Sequence, residues 1–117
     1  MPVPMVHQFG IMDEVDEQKE YVEYAPRQYD CVAVHDDMLS SLEAKLSGIR
    51  TYFHSLDRPG HGLAWSGITL IPPESLPALY EAVTSSANFE HSPELRGLAD
   101  KIARAIRADR YMIHFGI

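Results

Sequence analysis

Two hydrophobic periods alternate along the chain from Tyr29 onward, and this alternation constrains the fold more than any other feature. Runs of β-branched and aromatic residues with a period of two predict strands, and apolar stripes at helical spacing predict helices. We predict strands at residues 29–35, 49–55, 63–71 and 111–116, and helices at residues 37–47, at residues 73–86 and from Ser92-Pro93-Glu94 onward. The order β-α-β-β-α-α-β indicates an α+β domain.

This order matches the ferredoxin-like pattern, a split βαβ arrangement. We therefore expect a two-layer sandwich, with a four-stranded sheet and helices on one face. The first two predicted strands would be parallel, and the second and third would form a hairpin around Pro59-Gly60. If the last two helices form an antiparallel hairpin, the last strand runs the other way and the sheet is mixed rather than antiparallel. The sequence leaves both directions of the last strand open. The predicted core contains Leu39, Leu42, Leu46, Leu79, Val83, Leu98, Ile102, Ile106 and Ile113.

The negative charge is concentrated in the first third of the chain. Residues 1–37 contain nine acidic and two basic residues and carry the whole net charge of −7, whereas residues 38–117 contain eight of each. Asp13–Glu23 fits neither hydrophobic period, and Pro26 ends any helix before Tyr29. We interpret residues 1–28 as an acidic N-terminal arm with a short strand near Val3–Ile11, and residues 29–117 as a single α+β domain.

Composition excludes several classes of function. Cys31 is the only cysteine, so no internal disulfide and no cysteine metal cluster can form, which favours a reducing compartment. The first residues lack the pattern of a signal peptide, and no stretch reaches the ~18 apolar residues of a membrane span. The acidic third would repel nucleic acid. We therefore expect a cytoplasmic protein without a nucleic-acid or membrane partner, and no cofactor is predicted.

Histidines at the ends of two predicted strands form the candidate site. Alternation places His35 and His54 on one face, and parallel strands would bring their ends to one edge of the sheet. The turn that follows the second of these strands would add Asp57, Arg58 and His61. Imidazole and carboxylate groups suit a metal or proton transfer. The same residues are also typical of polar strand ends that hydrogen-bond to backbone.

Two further features have a functional and a structural interpretation. Trp65 follows the glycine-flanked turn and is either a wall of the histidine site or a packing residue. Four basic residues on the last helix form either an anion-binding patch or a solvated helix face. They alternate with acidic residues, including an Asp100–Arg104 pair at i,i+4, which favours the solvated face. These basic residues are Arg96, Lys101, Arg104 and Arg107.

The chain contains no phosphate-binding glycine loop and no Gly-x-Ser-x-Gly nucleophile motif, so the sequence favours a protein without enzymatic activity. Our first hypothesis is a small protein-binding module whose acidic arm meets a basic partner, for example as an inhibitor or immunity-type protein. The sequence leaves open whether the protein also forms a homodimer. The alternative hypothesis is a small-ligand or metal-binding protein that uses His35, His54, Asp57, Arg58, His61 and Trp65.

Overall fold

The computed structural model describes residues 5–116, which form an α+β structure around one six-stranded sheet. The spatial order is β2-β1-β6-β5-β3-β4, and every recorded strand pair is antiparallel. The strands are β1 (Val6–Ile11), β2 (Val32–His35), β3 (Arg50–Phe53), β4 (Pro59–His61), β5 (Ile68–Ile71) and β6 (Met112–Phe115). β2 and β4 therefore form the two edges.

Four α-helices are present in the described residues, with 3₁₀ turns at three points of the chain. The helices are α1 (Asp36–Ser40), α2 (Glu43–Leu46), α3 (Leu76–Thr84) and α4 (Pro93–Ala108), and the 3₁₀ turns are Pro26–Tyr29, Pro73–Ser75 and Phe89–His91. Ser92 caps α4, because its hydroxyl accepts a hydrogen bond from the backbone N–H of Leu95 at 3.2 Å. No helix within residues 5–116 combines the length and the apolar character that crossing a bilayer requires.

The helices cover one face of the sheet. Their apolar stripes pack with alternate strand residues, including Phe9 of β1, Val34 of β2 and Ile71 of β5, into the larger hydrophobic cluster. Of the predicted core residues, Ile106 is exposed and the other eight are buried. Burial of a full leucine or isoleucine side chain contributes about 1.5–3 kcal/mol, so this layer supplies most of the driving force for folding.

The segment between β1 and β2 covers the opposite face. Tyr21 of this segment is buried with Met12, Leu70 and Phe115 in a second, smaller cluster. The chain makes no regular helix or strand between residues 13 and 25. The acidic stretch is thus the cover of a sheet face, held by one buried tyrosine, and most of its other side chains face solvent.

The α+β class and the presence of an antiparallel sheet with helices agree with the sequence analysis, but the number of strands was wrong. The sheet has six strands rather than four, and the ferredoxin-like order is not confirmed. One added strand is Val6–Ile11, which lies in the interior between β2 and β6; residues 3 and 4 of the expected Val3–Ile11 strand lie outside the described residues.

The second added strand is Pro59–His61, predicted as part of a turn. It pairs with β3 along one side, while β5 pairs with the other side, so β3 is shared by two antiparallel neighbours. A short strand that begins with proline is typical of a sheet edge, where a missing N–H costs no ladder hydrogen bond. The helix predicted at residues 37–47 is divided into α1 and α2, with Ser41 and Leu42 between them.

Candidate functional site

The predicted histidine edge does not assemble. His35 ends β2 and His54 follows β3, and β1, β6 and β5 lie between those two strands. At a spacing of about 4.8 Å between neighbours, the two strands are roughly 19 Å apart. The expected juxtaposition of His35 and His54 was therefore wrong, because it required the two strands to be parallel neighbours. Whether either residue binds a ligand stays a prediction.

His35 has a local structural role at the edge of the sheet. Its ring Nδ1 accepts a hydrogen bond from the N–H of Asp37 at 3.1 Å and caps α1. Its own backbone N–H donates to the Glu94 carboxylate at 2.8 Å, which ties the end of β2 to the start of α4. His35 therefore fixes how two helices begin beside β2.

His54 anchors the chain segment that covers the second sheet face. Its Nδ1–H donates to the Tyr21 carbonyl at 2.9 Å, and its own carbonyl accepts from the Tyr21 N–H at 2.6 Å. The backbone at His54 is left-handed, with φ of 68°, and its ring lies against Gly67, where a Cβ would come within 2.8 Å of Nε2. Gly67 thus leaves room for the ring that holds Tyr21.

The remaining turn residues do not converge with these histidines. Asp57 is exposed, and Arg58 makes an exposed ion pair with Glu20 at 3.2 Å. His61 is exposed on β4 opposite Arg50, at the other end of the β3–β4 hairpin from His54. Across residues 5–116, no group of three or more histidine, cysteine or acidic side chains is arranged to hold a metal ion.

Trp65 is the predicted site residue that does belong to a polar cluster. Its Nε1–H donates to Asp36 Oδ1 at 2.7 Å, and its ring meets His7 edge-on with centroids 4.8 Å apart. The cluster, which we call the histidine relay, runs across the helix-covered face of the sheet. Its members are Trp65, Asp36, His7, His114 and Thr69.

Each neighbouring pair in the relay is within hydrogen-bond distance. His7 Nε2 lies 2.9 Å from Asp36 Oδ1, His7 Nδ1 lies 2.8 Å from His114 Nε2, and His114 Nδ1 lies 3.1 Å from Thr69 Oγ1. The N–H of Ala64 closes the far end, donating to Thr69 Oγ1 at 2.8 Å. His7, His114 and Thr69 are fully buried, while the Asp36 side chain is 20% exposed.

The donors and acceptors assign the protons of the relay when both rings are neutral. The carboxylate of Asp36 only accepts, so His7 carries its proton on Nε2 and accepts at Nδ1. His114 must then donate from Nε2 to His7 and accept at Nδ1 from the Thr69 hydroxyl. Because Ala64 supplies the hydrogen bond that Thr69 accepts, every polar side-chain atom of His7, His114 and Thr69 has a partner, as expected of a buried polar network.

Strand register builds this arrangement. Thr69 of β5 stands directly opposite His114 of β6, and Phe9 of β1 stands opposite His114 on its other side. His7 is two residues before Phe9, so it shares the same face and reaches His114 diagonally. Gly116 follows β6, and a Cβ there would collide with the backbone of Ala64 and Trp65, so glycine lets this loop close the end of the sheet.

The surroundings favour the ionised form of Asp36 and the neutral form of His114. Burial, and then the nearby His7, keep the pKa of His114 well below its ordinary value of 6.5. The hydrogen bond from His7 to Asp36 lowers the pKa of that carboxyl, helped by the hydrogen bond from Trp65. The relay therefore holds an ionised carboxylate at its outer end and a neutral His114 in its interior, and it joins three strands to the start of α1.

The sequence analysis did not identify His7, Asp36, Thr69 or His114 as site residues. On β6, Met112 and His114 face the helices, whereas Ile113 and Phe115 lie in the second cluster. Both faces of β6 are covered, so all four residues of the strand are buried and hydrophobicity alone does not separate the faces. One signal for β1 was available in the sequence: His7 and Phe9 are two positions apart in a short apolar run before the acidic stretch, so they would share one face of a strand.

No protein-family model, no curated protein and no solved structure matches the chain.

Proposed function

We propose that the protein is a binding module that docks a basic partner protein through the acidic segment, residues 13–23, and the adjoining Tyr24. The observation that carries the proposal is that six exposed carboxylates and two large exposed apolar side chains lie within residues 13–24. The carboxylates are Asp13, Glu14, Asp16, Glu17, Glu20 and Glu23, with Lys19 as the one base of the segment. Val22 is 68% exposed and Tyr24 is 61% exposed.

The surface has a defined shape although it lacks regular secondary structure. The buried Tyr21 ring fixes its centre, and the Tyr21 hydroxyl accepts a hydrogen bond from the N–H of Asp16 at 3.0 Å. The Tyr24 ring packs edge-on against Phe115, with centroids 5.6 Å apart. A segment that is already ordered loses less conformational entropy on binding, which favours its use as a docking surface.

The chemistry of the segment supports a basic partner. Two of its carboxylates already make exposed ion pairs, Asp13 with Arg110 and Glu20 with Arg58. The segment still carries an excess of negative charge, which steers a positively charged surface toward it. Exposed tyrosine and valine then offer the apolar contacts that the centre of an interface uses. An inhibitor or immunity-type protein that neutralises its basic partner is one form of this proposal.

A photocrosslinking experiment tests the docking surface. A photoreactive residue replaces Val22, or in a matched control replaces Tyr80 of α3, which is partly exposed on the helix layer. We expect a specific adduct from position 22 in cells of the source organism and none from position 80. The adduct identifies the partner, which is then purified so that binding can be measured directly.

Charge reversal in the reconstituted complex gives the decisive measurement. The Glu17→Lys, Glu23→Lys double variant should weaken binding by at least about tenfold, because close interfacial charge pairs contribute about 1.5 kcal/mol or more each. The control is Glu43→Lys, Glu81→Lys, which changes the net charge equally on exposed residues of the helix layer. Equal affinity of the two double variants for the purified partner would contradict the proposal.

A further inference from the structure

A groove of about 420 Å³ lies where α4 approaches the 3₁₀ turn at Pro26–Tyr29. Basic residues from separate parts of the chain line this groove, although the protein as a whole carries a net charge of −7. They are Arg27, Lys101, Arg104 and Arg110, accompanied by the acidic residues Asp13 and Asp30. The sequence predicts a solvated helix face here, whereas the structure forms a concave surface with a local excess of positive charge.

Lys101 is the most unusual residue of the groove, because it is only 6% exposed. Lysine is almost never buried unless it is paired. Its ammonium donates a hydrogen bond to the carbonyl of Asp30, which carries no net charge, and the nearest recorded carboxylate oxygen, also of Asp30, is 3.9 Å away on a fully exposed side chain. Since an ammonium has three N–H donors, Lys101 keeps capacity for a further acceptor with negative charge.

Arg27 and Arg104 add two guanidinium groups at the rim. Both side chains are exposed, and within residues 5–116 neither has an ion pair with a carboxylate. The Asp100–Arg104 ion pair expected from the i,i+4 spacing does not form within residues 5–116. Arg110 differs, because Asp13 holds it through the backbone carbonyl at 2.8 Å and Oδ1 at 3.1 Å.

The charges and the lining together indicate the class of ligand. Guanidinium groups bind phosphate oxygens in a planar, bidentate way, and an ammonium binds them as a point charge. Ile11, Tyr29 and Ala108 add apolar and aromatic surface that a phosphate ion alone would not use. The volume falls within the range of about 300–1,000 Å³ that is usual for small-molecule sites.

We propose that this groove binds a small phosphorylated organic molecule, with its phosphate held by Lys101, Arg27 and Arg104 and its organic part against Tyr29 and Ile11. The proposal does not rest on the acidic segment or on a protein partner. A ligand here would bridge α4 to the chain that enters β2, since Lys101 already reaches across to Asp30. Binding should therefore raise the melting temperature of the protein.

Calorimetric titration at constant ionic strength tests the groove, with AMP, inorganic phosphate and adenosine as probes. We expect saturable binding of AMP, weaker binding of phosphate and no binding of adenosine. Arg27→Gln and Arg104→Gln should each weaken AMP binding by about tenfold, the effect of losing a charge-assisted hydrogen bond. Both side chains are exposed, so both variants should fold normally.

Arg107→Gln is the matched control, because Arg107 is exposed on the same helix and does not line the groove. It should leave AMP binding unchanged. The absence of saturable binding of both AMP and phosphate, or an equal loss in Arg107→Gln, would overturn the proposal. Phosphate that binds as tightly as AMP would overturn the assignment of an organic ligand.

Discussion

The two faces of the sheet are covered in opposite ways. On the helix face, His7, His114 and Thr69 are buried, and each of their polar side-chain atoms has a hydrogen-bond partner from another element. On the other face, the acidic segment is fixed chiefly by Tyr21, and its charged side chains stay in water. A buried polar network specifies one arrangement of strands, whereas a cover whose charged side chains stay in water leaves those side chains available to bind a partner.

The largest expected effect comes from breaking the relay. His114→Leu introduces an apolar side chain of similar size and leaves His7 Nδ1 and the Thr69 hydroxyl without their buried partner. The free energy of unfolding should fall by about 2–5 kcal/mol, because unsatisfied buried polar groups add to the packing defect. Urea unfolding measures this loss. A loss below about 1 kcal/mol would show that the relay contributes little to stability.

A smaller effect is expected from removing the anchor of the acidic segment. Tyr21→Ala should lower the free energy of unfolding by about 2 kcal/mol, less than a fully enclosed aromatic residue, because the segment packs on the sheet from one side only. Hydrogen exchange of residues 13–23 should accelerate much more than exchange in β6. Uniform acceleration across both regions would mean that the two faces are not independent.

Acidification should distinguish the faces by titrating the relay. The pKa of His114 is lower in the folded protein than in the unfolded chain, so between the two values the unfolded chain binds the extra proton. The free energy of unfolding should therefore decrease as pH falls below about 6.5, by up to about 1.4 kcal/mol per pH unit for this residue. Asp36 adds a loss in the same direction below its ordinary pKa of 3.8.

The control for this titration is His114→Leu, which should lack the part of the slope that begins near pH 6.5. Unfolding curves of both proteins between pH 5 and 8 give the comparison. Parallel curves would show that groups other than His114 cause the pH dependence.

The smallest expected effect is on the surface of the acidic segment. Glu20→Gln removes the exposed ion pair with Arg58, and the free energy of unfolding should change by less than about 1 kcal/mol, as is usual for solvent-exposed pairs. Thermal unfolding at low and high salt measures the difference. A change as large as that of Tyr21→Ala would show that the segment is held by its charges rather than by its buried ring.

What the sequence could predict depends on whether a feature is set by local or by long-range contacts. All four predicted strand ranges contain observed strands, and each predicted helix range contains an observed helix, because these patterns are local. The interior position of β1 was not accessible, since only pairing with β2 and β6 shows it. The relay depends on the same long-range register: His7 and His114 are 107 residues apart in sequence, and no spacing rule connects them.

The place of β1 between β2 and β6 has a consequence for the folding pathway. The pairing of β1 with β6 joins the first and last strands of the described chain. All the other helices and strands therefore lie in the stretch of chain between these two paired strands. Such non-local pairing raises the contact order and slows folding. During synthesis, the edge of β1 that pairs with β6 stays without its partner until β6 has left the ribosome. The hydrogen bond between His7 and His114 cannot form before that point.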